Sequence, residues 1–142
     1  MLLYDFGTKE RLIAEILAEA RRREAALLLD LRSIPDASDA ETLREVWGWL
    51  VAPERGPFLR LFFEVYVDAL TDPDRYPGGA GPMVSDWIAV IGAHWSPDGG
   101  VDDVTATLLI AVVRGLLLDR LSASDPERTD DALALFAERF ER

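Results

Sequence analysis

Cysteine is absent from the 142 residues, which removes disulfide staples, a thiol nucleophile and thiolate metal sites together. Histidine occurs once, as His94, so a serine-histidine catalytic pair has a single candidate base and no obvious partner. No glutamate stands three residues before His94, as helical di-metal sites require, and metal binding is disfavoured. No basic-then-apolar leader opens the chain, and no apolar run reaches the roughly 18 residues of a membrane span. A cytoplasmic protein with no membrane partner is the expectation.

Basic charge is also scarce. Against 26 acidic residues there are 15 basic ones, a net charge of −11. Because phosphate neutralisation dominates nucleic-acid affinity, so acidic a chain is a poor DNA binder by itself. Arg21, Arg22 and Arg23 form the one basic cluster, and consecutive helical residues diverge by about 100°, which reads as a solvated face.

What is present is helical periodicity. A first helix is predicted over about Thr8 to Leu31, with Gly7 bending the chain before it and Thr8 capping its first turn. Its apolar stripe runs through positions 12, 13, 16, 17, 20, 27, 28 and 31. Ser38 or Asp39 caps a second helix with Leu43, Val46, Trp47 and Leu50 inward, ended by a break from Pro53 to Pro57. The third, Pro57 to Leu70, is apolar on almost every side except a strip of Arg60, Glu64 and Asp68, and is expected to be central.

After the Pro/Gly-rich stretch from Thr71 to Pro82, a fourth helix is predicted over Met83 to Trp95, with Val84, Trp87, Ile88, Ile91 and Trp95 on one face. Ser96 to Gly100 breaks it. The fifth, about Asp102 to Ser122, carries Val104, Leu108, Ala111, Val112, Gly115 and Leu117 or Leu118 along a stripe. Gly115 costs about 1 kcal/mol in a helix interior, and close approach of another helix is the usual reason for it. Asp125 and Pro126 open a sixth helix, with Ala132, Leu133, Phe136, Ala137 and Phe140 on one stripe. No stretch alternates as a strand would, so the fold class is all-α, a six-helix bundle.

The stretch Tyr4-Asp5-Phe6-Gly7-Thr8-Lys9-Glu10-Arg11-Leu12 resembles the segment that joins the DNA-reading helix to the first core helix in TetR-type (tetracycline-repressor-like) transcriptional regulators. The helix order that follows resembles their C-terminal regulatory domain. The resemblance implies residues 1–7 as the remnant of a helix-turn-helix domain and 8–142 as a ligand-binding and dimerisation domain. It implies a homodimer through the last two helices and an effector pocket enclosed by those before them. Operator DNA would be read only through a helix-turn-helix that precedes Leu2, with Tyr4 and Lys9 at positions that touch phosphate.

The pocket candidates are the aromatics Trp47, Phe62, Phe63, Tyr66 and Trp87, with Glu64, His94 and Arg114 as polar groups, suited to an apolar or aromatic small molecule. The dimer candidates are Val112, Gly115, Leu118, Leu133, Phe136 and Phe140. No cofactor is implied. Gly78-Gly79-Ala80-Gly81 lacks the strand and Lys-Ser/Thr of a phosphate cradle, and the carboxylates at Asp72/Asp74 and Asp98/Asp102/Asp103 lack calcium-loop spacing. No catalytic constellation is legible, so the chain is read as a non-enzyme. The alternative is a stand-alone dimerising or ligand-sequestering module without DNA binding.

The 142-residue chain is expected to leave duplex DNA unbound at nanomolar protein in salt from about 50 to 200 mM, measured by fluorescence anisotropy. Sequence-specific nanomolar binding that weakens with salt would reverse that reading.

Overall fold

The computed structural model describes residues 6–32, 38–76, 79–82, 84, 85, 88 and 102–140, with the side chains of 6–8, 24, 25 and 27–32 excepted. Among these residues there are five α-helices and one 3-10 turn, and no strand. The helices are α1 (Phe6–Arg32), α2 (Asp39–Leu50), α3 (Gly56–Thr71), α4 (Asp103–Ser122) and α5 (Pro126–Phe140), with the turn at Pro53–Arg55. The predicted helix over Met83 to Trp95 lies mostly outside the described residues. Within it Val84, Ser85 and Ile88 are helical, and the amides of Val84 and Ser85 donate to the Gly81 carbonyl at 3.0 Å each.

Local chemistry explains the helix starts. The Ser38 hydroxyl accepts from the Glu41 amide at 3.1 Å, while the Glu41 carboxylate accepts from the Ser38 amide at 2.8 Å, a reciprocal capping box at the start of α2. The Asp102 carboxylate accepts from the Thr105 amide at 2.8 Å and opens α4 in the same way. At α1 the expectation fails: the helix begins at Phe6, so Gly7 and Thr8 lie inside its first turn and Thr8 is not the cap. After α3 the chain turns at Gly79, whose φ of +66° suits glycine, and an added Cβ there would come within 3.3 Å of the Pro73 carbonyl.

Two apolar clusters hold these helices together. The larger is built from Ala40, Leu43, Trp47 and Leu50 of α2, Leu59 and Phe63 of α3, Ala106, Leu109, Ile110 and Leu117 of α4, and Leu133 and Ala137 of α5. The smaller joins Leu17 of α1 to Val65 and Ala69 of α3 and to Tyr76. Phe58 and Phe62 of α3 border both. Fully burying a large aliphatic side chain contributes about 1.5–3 kcal/mol, so these clusters outweigh any surface ion pair here.

Polar contacts then set the register of α2, α4 and α5. Trp47 Nε1 donates to Asp130 Oδ1 at 2.8 Å, and Arg120 Nη1 donates to the same oxygen at 2.8 Å. Thr129 is wholly buried, yet its hydroxyl donates to the Pro126 carbonyl at 2.8 Å and accepts from Arg120 at 3.1 Å. Arg128 clamps the Asp119 carboxylate with two nitrogens, and that hydrogen bond holds the Asp119 carboxyl below its ordinary range.

Apolar residues stand outward on α1, α4 and α3. On α1, Ile13 and Leu17 face inward with Glu10, whereas Leu12 and Ile16 are 55% and 44% exposed. On α4 the buried side is Ala106, Leu109, Ile110 and Leu117, so of the predicted stripe Leu117 is buried, Val112 is half-buried, and Val104, Leu108, Ala111, Gly115 and Leu118 face outward. Apolar residues surround α4, and a periodicity without polar contrast selects no face. On α3, Val67 and Leu70 are exposed, so that helix is covered on fewer sides than its composition suggests.

Replacing Leu133, 1% exposed, by alanine is expected to cost about 2–5 kcal/mol in urea unfolding. Ser38→Ala should cost about 1 kcal/mol by loss of the cap.

Candidate functional site

Tyr66 of α3 and Arg114 of α4 were expected in one pocket, and their side chains meet where the two helices pack. Arg114 Nη1 donates to Tyr66 Oη at 3.4 Å, and the guanidinium carbon stands 5.4 Å from the centre of the Tyr66 ring. Both residues are half-buried. Phe62 tilts against Tyr66 with ring centres 6.2 Å apart and meets Phe63 edge-on at 5.3 Å. These four residues follow the seam between the two clusters, because α3 supplies both: Phe63 belongs to the larger, Tyr66 packs on the smaller, and Phe62 touches each.

The other expected pocket residues lie elsewhere or outside the described residues. Trp47 is buried in the larger cluster, its indole N–H occupied by Asp130. Glu64 is exposed on α3, where the strip of Arg60 and Glu64 faces water, and it does not join Tyr66 and Arg114 at the helix seam. Trp87 and His94 fall outside the described residues, as does Tyr4. Lys9 is exposed on the first turns of α1.

The expected dimer residues divide. Leu133 is spent inside the chain and has no area left for a partner, so it is withdrawn from that face. Phe136 and Phe140 stack with centres 5.6 Å apart and pack half-buried against the larger cluster. Val112 is half-buried and Leu118 is 43% exposed. An added Cβ at Gly115 would meet nothing within 4 Å, so no helix of this chain approaches it closely among the described residues. With Val104 at 77% and Leu108 at 54% exposure, Gly115 and Leu118 leave α4 with an open apolar outer face.

A further polar cluster ties α1 to α3. Arg75 Nε donates to Glu10 Oε1 at 2.9 Å, its Nη1 lies 3.6 Å from Asp68, and Tyr76 Oη is 3.3 Å from Asp68 Oδ2. The Glu10 side chain is only 4% exposed, so its charge is answered by Arg75 and not by water. Glu10 shares a helical stripe with Ile13 and Leu17, a spacing that marks a carboxylate turned inward. Arg75, in an irregular segment, carries no such signal. The hydrogen bond to Glu10 raises the Arg75 guanidinium further, and burial, with Asp68's charge added, pushes the Tyr76 phenol up.

Among the described residues no group of three acidic or histidine side chains is placed to hold a metal ion, and no helix is long and apolar enough to cross a membrane.

A phenol whose proton is held more tightly in the folded state stabilises fully below its unfolded pKa of about 10, and that contribution is lost as pH rises through the folded value. The chain should therefore lose stability above about pH 10, and Tyr76→Phe should lose less over the same range in denaturant melts. Arg75→Ala should destabilise the chain more than Arg22→Ala, because Glu10 is left buried without its partner whereas Glu19 is in water.

No protein-family model matches the sequence, and no curated protein or solved structure matches it either.

Proposed function

We propose that the chain is the effector-binding and dimerising domain of a TetR-type transcriptional regulator. On this reading a small molecule controls DNA binding by a helix-turn-helix attached ahead of α1, and these 142 residues do not themselves read DNA. The net charge of −11 supports that division of labour. The motif from Tyr4 to Leu12 supports the family, and the described helices are compatible with its regulatory fold.

The observation that carries the reading is the outer face of α4. Val104, Leu108 and Leu118 stand on it with the open Gly115, on the side away from the buried Leu109 and Leu117. From Val104 to Leu118 it extends about 21 Å at 1.5 Å per residue, long enough for a helix of a second copy to lie along it. A glycine with nothing opposite its Cβ position lets two backbones approach closely, which gives the residue its reason. Two copies would meet along it about a two-fold axis, the usual symmetry of homodimers.

The effector is taken at the seam of α3 and α4, where Phe62, Tyr66 and Arg114 stand half-buried. That seam lies on α3 between the cluster that holds α1 and the cluster that holds α4, so occupancy there bears on both. α1 would carry the response toward the DNA reader.

Sedimentation equilibrium is expected to give a dimer at micromolar concentration. Leu108→Glu with Leu118→Glu should give a monomer with unchanged helicity by circular dichroism. A wild-type monomer at that concentration, or a double variant that stays dimeric, removes this face from the proposal.

A further inference from the structure

We propose that Arg114 and Tyr66 together form the recognition point for a carboxylate, so that the effector is an apolar or aromatic body ending in one negative charge. The inference rests on the effector-binding reading above and names the chemical class that the seam selects.

Five other arginines pair with carboxylates of the described residues. Acidic residues outnumber basic ones 26 to 15, so carboxylates are plentiful. Arg22 and Arg23 pair with Glu19, Arg75 with Glu10 and Asp68, Arg120 with Asp130, and Arg128 with Asp119 and Asp125. Arg114 is half-buried, yet its polar contact is a phenol and no carboxylate of the described residues lies within 4.0 Å of it. A guanidinium drawn partly out of water gains most from an anion with two oxygens.

The pair supplies matched donors. A guanidinium offers five N–H groups and Tyr66 Oη accepts one of them at 3.4 Å, leaving further N–H groups and the phenol's own proton to donate. A carboxylate takes one oxygen to each. Beside them stands the half-buried Phe62, its ring centre 6.2 Å from that of Tyr66 and tilted by 47°, which would give the body of the ligand an apolar neighbour. One guanidinium balances one charge, so a monoanionic carboxylate fits better than a dianionic phosphate.

The test uses the 142-residue chain with benzoate, 2-naphthoate and decanoate, each against its primary amide, by thermal melting and titration calorimetry. At least one acid is expected to raise the melting temperature where its amide does not. Arg114→Gln should weaken that acid by about tenfold or more, as loss of a charged hydrogen bond does, and Arg114→Lys should recover part of it. Tyr66→Phe should weaken the acid less than Arg114→Gln. The comparison of acid with amide on the unaltered chain stands even if a variant folds poorly. An acid and amide that bind equally overturn the carboxylate assignment while leaving effector binding in place; no binding by either class overturns both.

Discussion

The packing of α2 against α5 is the contact on which the larger core depends. Leu43, Trp47 and Leu50 bury against Leu133 and Ala137, and each large aliphatic side chain so buried contributes about 1.5–3 kcal/mol. Asp130 adds little energy by comparison, since its side chain is 49% exposed and such ion pairs are worth about 0–1 kcal/mol. Its value is positional. By accepting from both Trp47 and Arg120 through one oxygen, it allows only one register of α2 across the α4–α5 hairpin. Burial holds the three helices together, and the shared acceptor decides how they are aligned.

The core of α1 is smaller and differently made. Leu17 packs on Val65, Ala69 and Tyr76, while Glu10 and Arg75 close a polar contact between residues 65 apart in sequence. α1 is about 40 Å long at 1.5 Å per residue for its 27 residues, and the described anchors all lie in its first half. α3 belongs to both cores, so a change along its Phe62 and Tyr66 face is felt on each side.

The all-helical class and most helix boundaries were legible because caps and breakers act locally. Ser38 with Glu41, Asp102 before α4 and Pro126 at the start of α5 each announce an end within four residues of sequence. Which side of a helix is buried was legible only where polar and apolar residues alternate around it. α5 has that contrast, and its stripe marks Leu133 and Ala137 as residues that bury area, but only the tertiary packing shows that Leu133 buries it in its own chain and not against a second copy. α4 lacks the contrast, and its apolar residues stand on both its buried and its exposed sides. Tyr66 and Arg114 were named from residue type, but their meeting depends on how α3 crosses α4, which no local pattern encodes. Arg75 was missed because its partner is set by a turn and not by a period.

The open flank of α4 also has an ionic consequence. Two copies meeting there bring together twice the charge of −11, a repulsion that reaches about 10 Å at 0.1 M salt and less at higher ionic strength. Apolar attraction across the flank is not weakened by that screening. On the proposed dimer, self-association through α4 would strengthen with added salt, whereas phosphate contacts made by the proposed DNA reader would weaken with it. Ionic strength would then act in opposite directions on the two proposed associations.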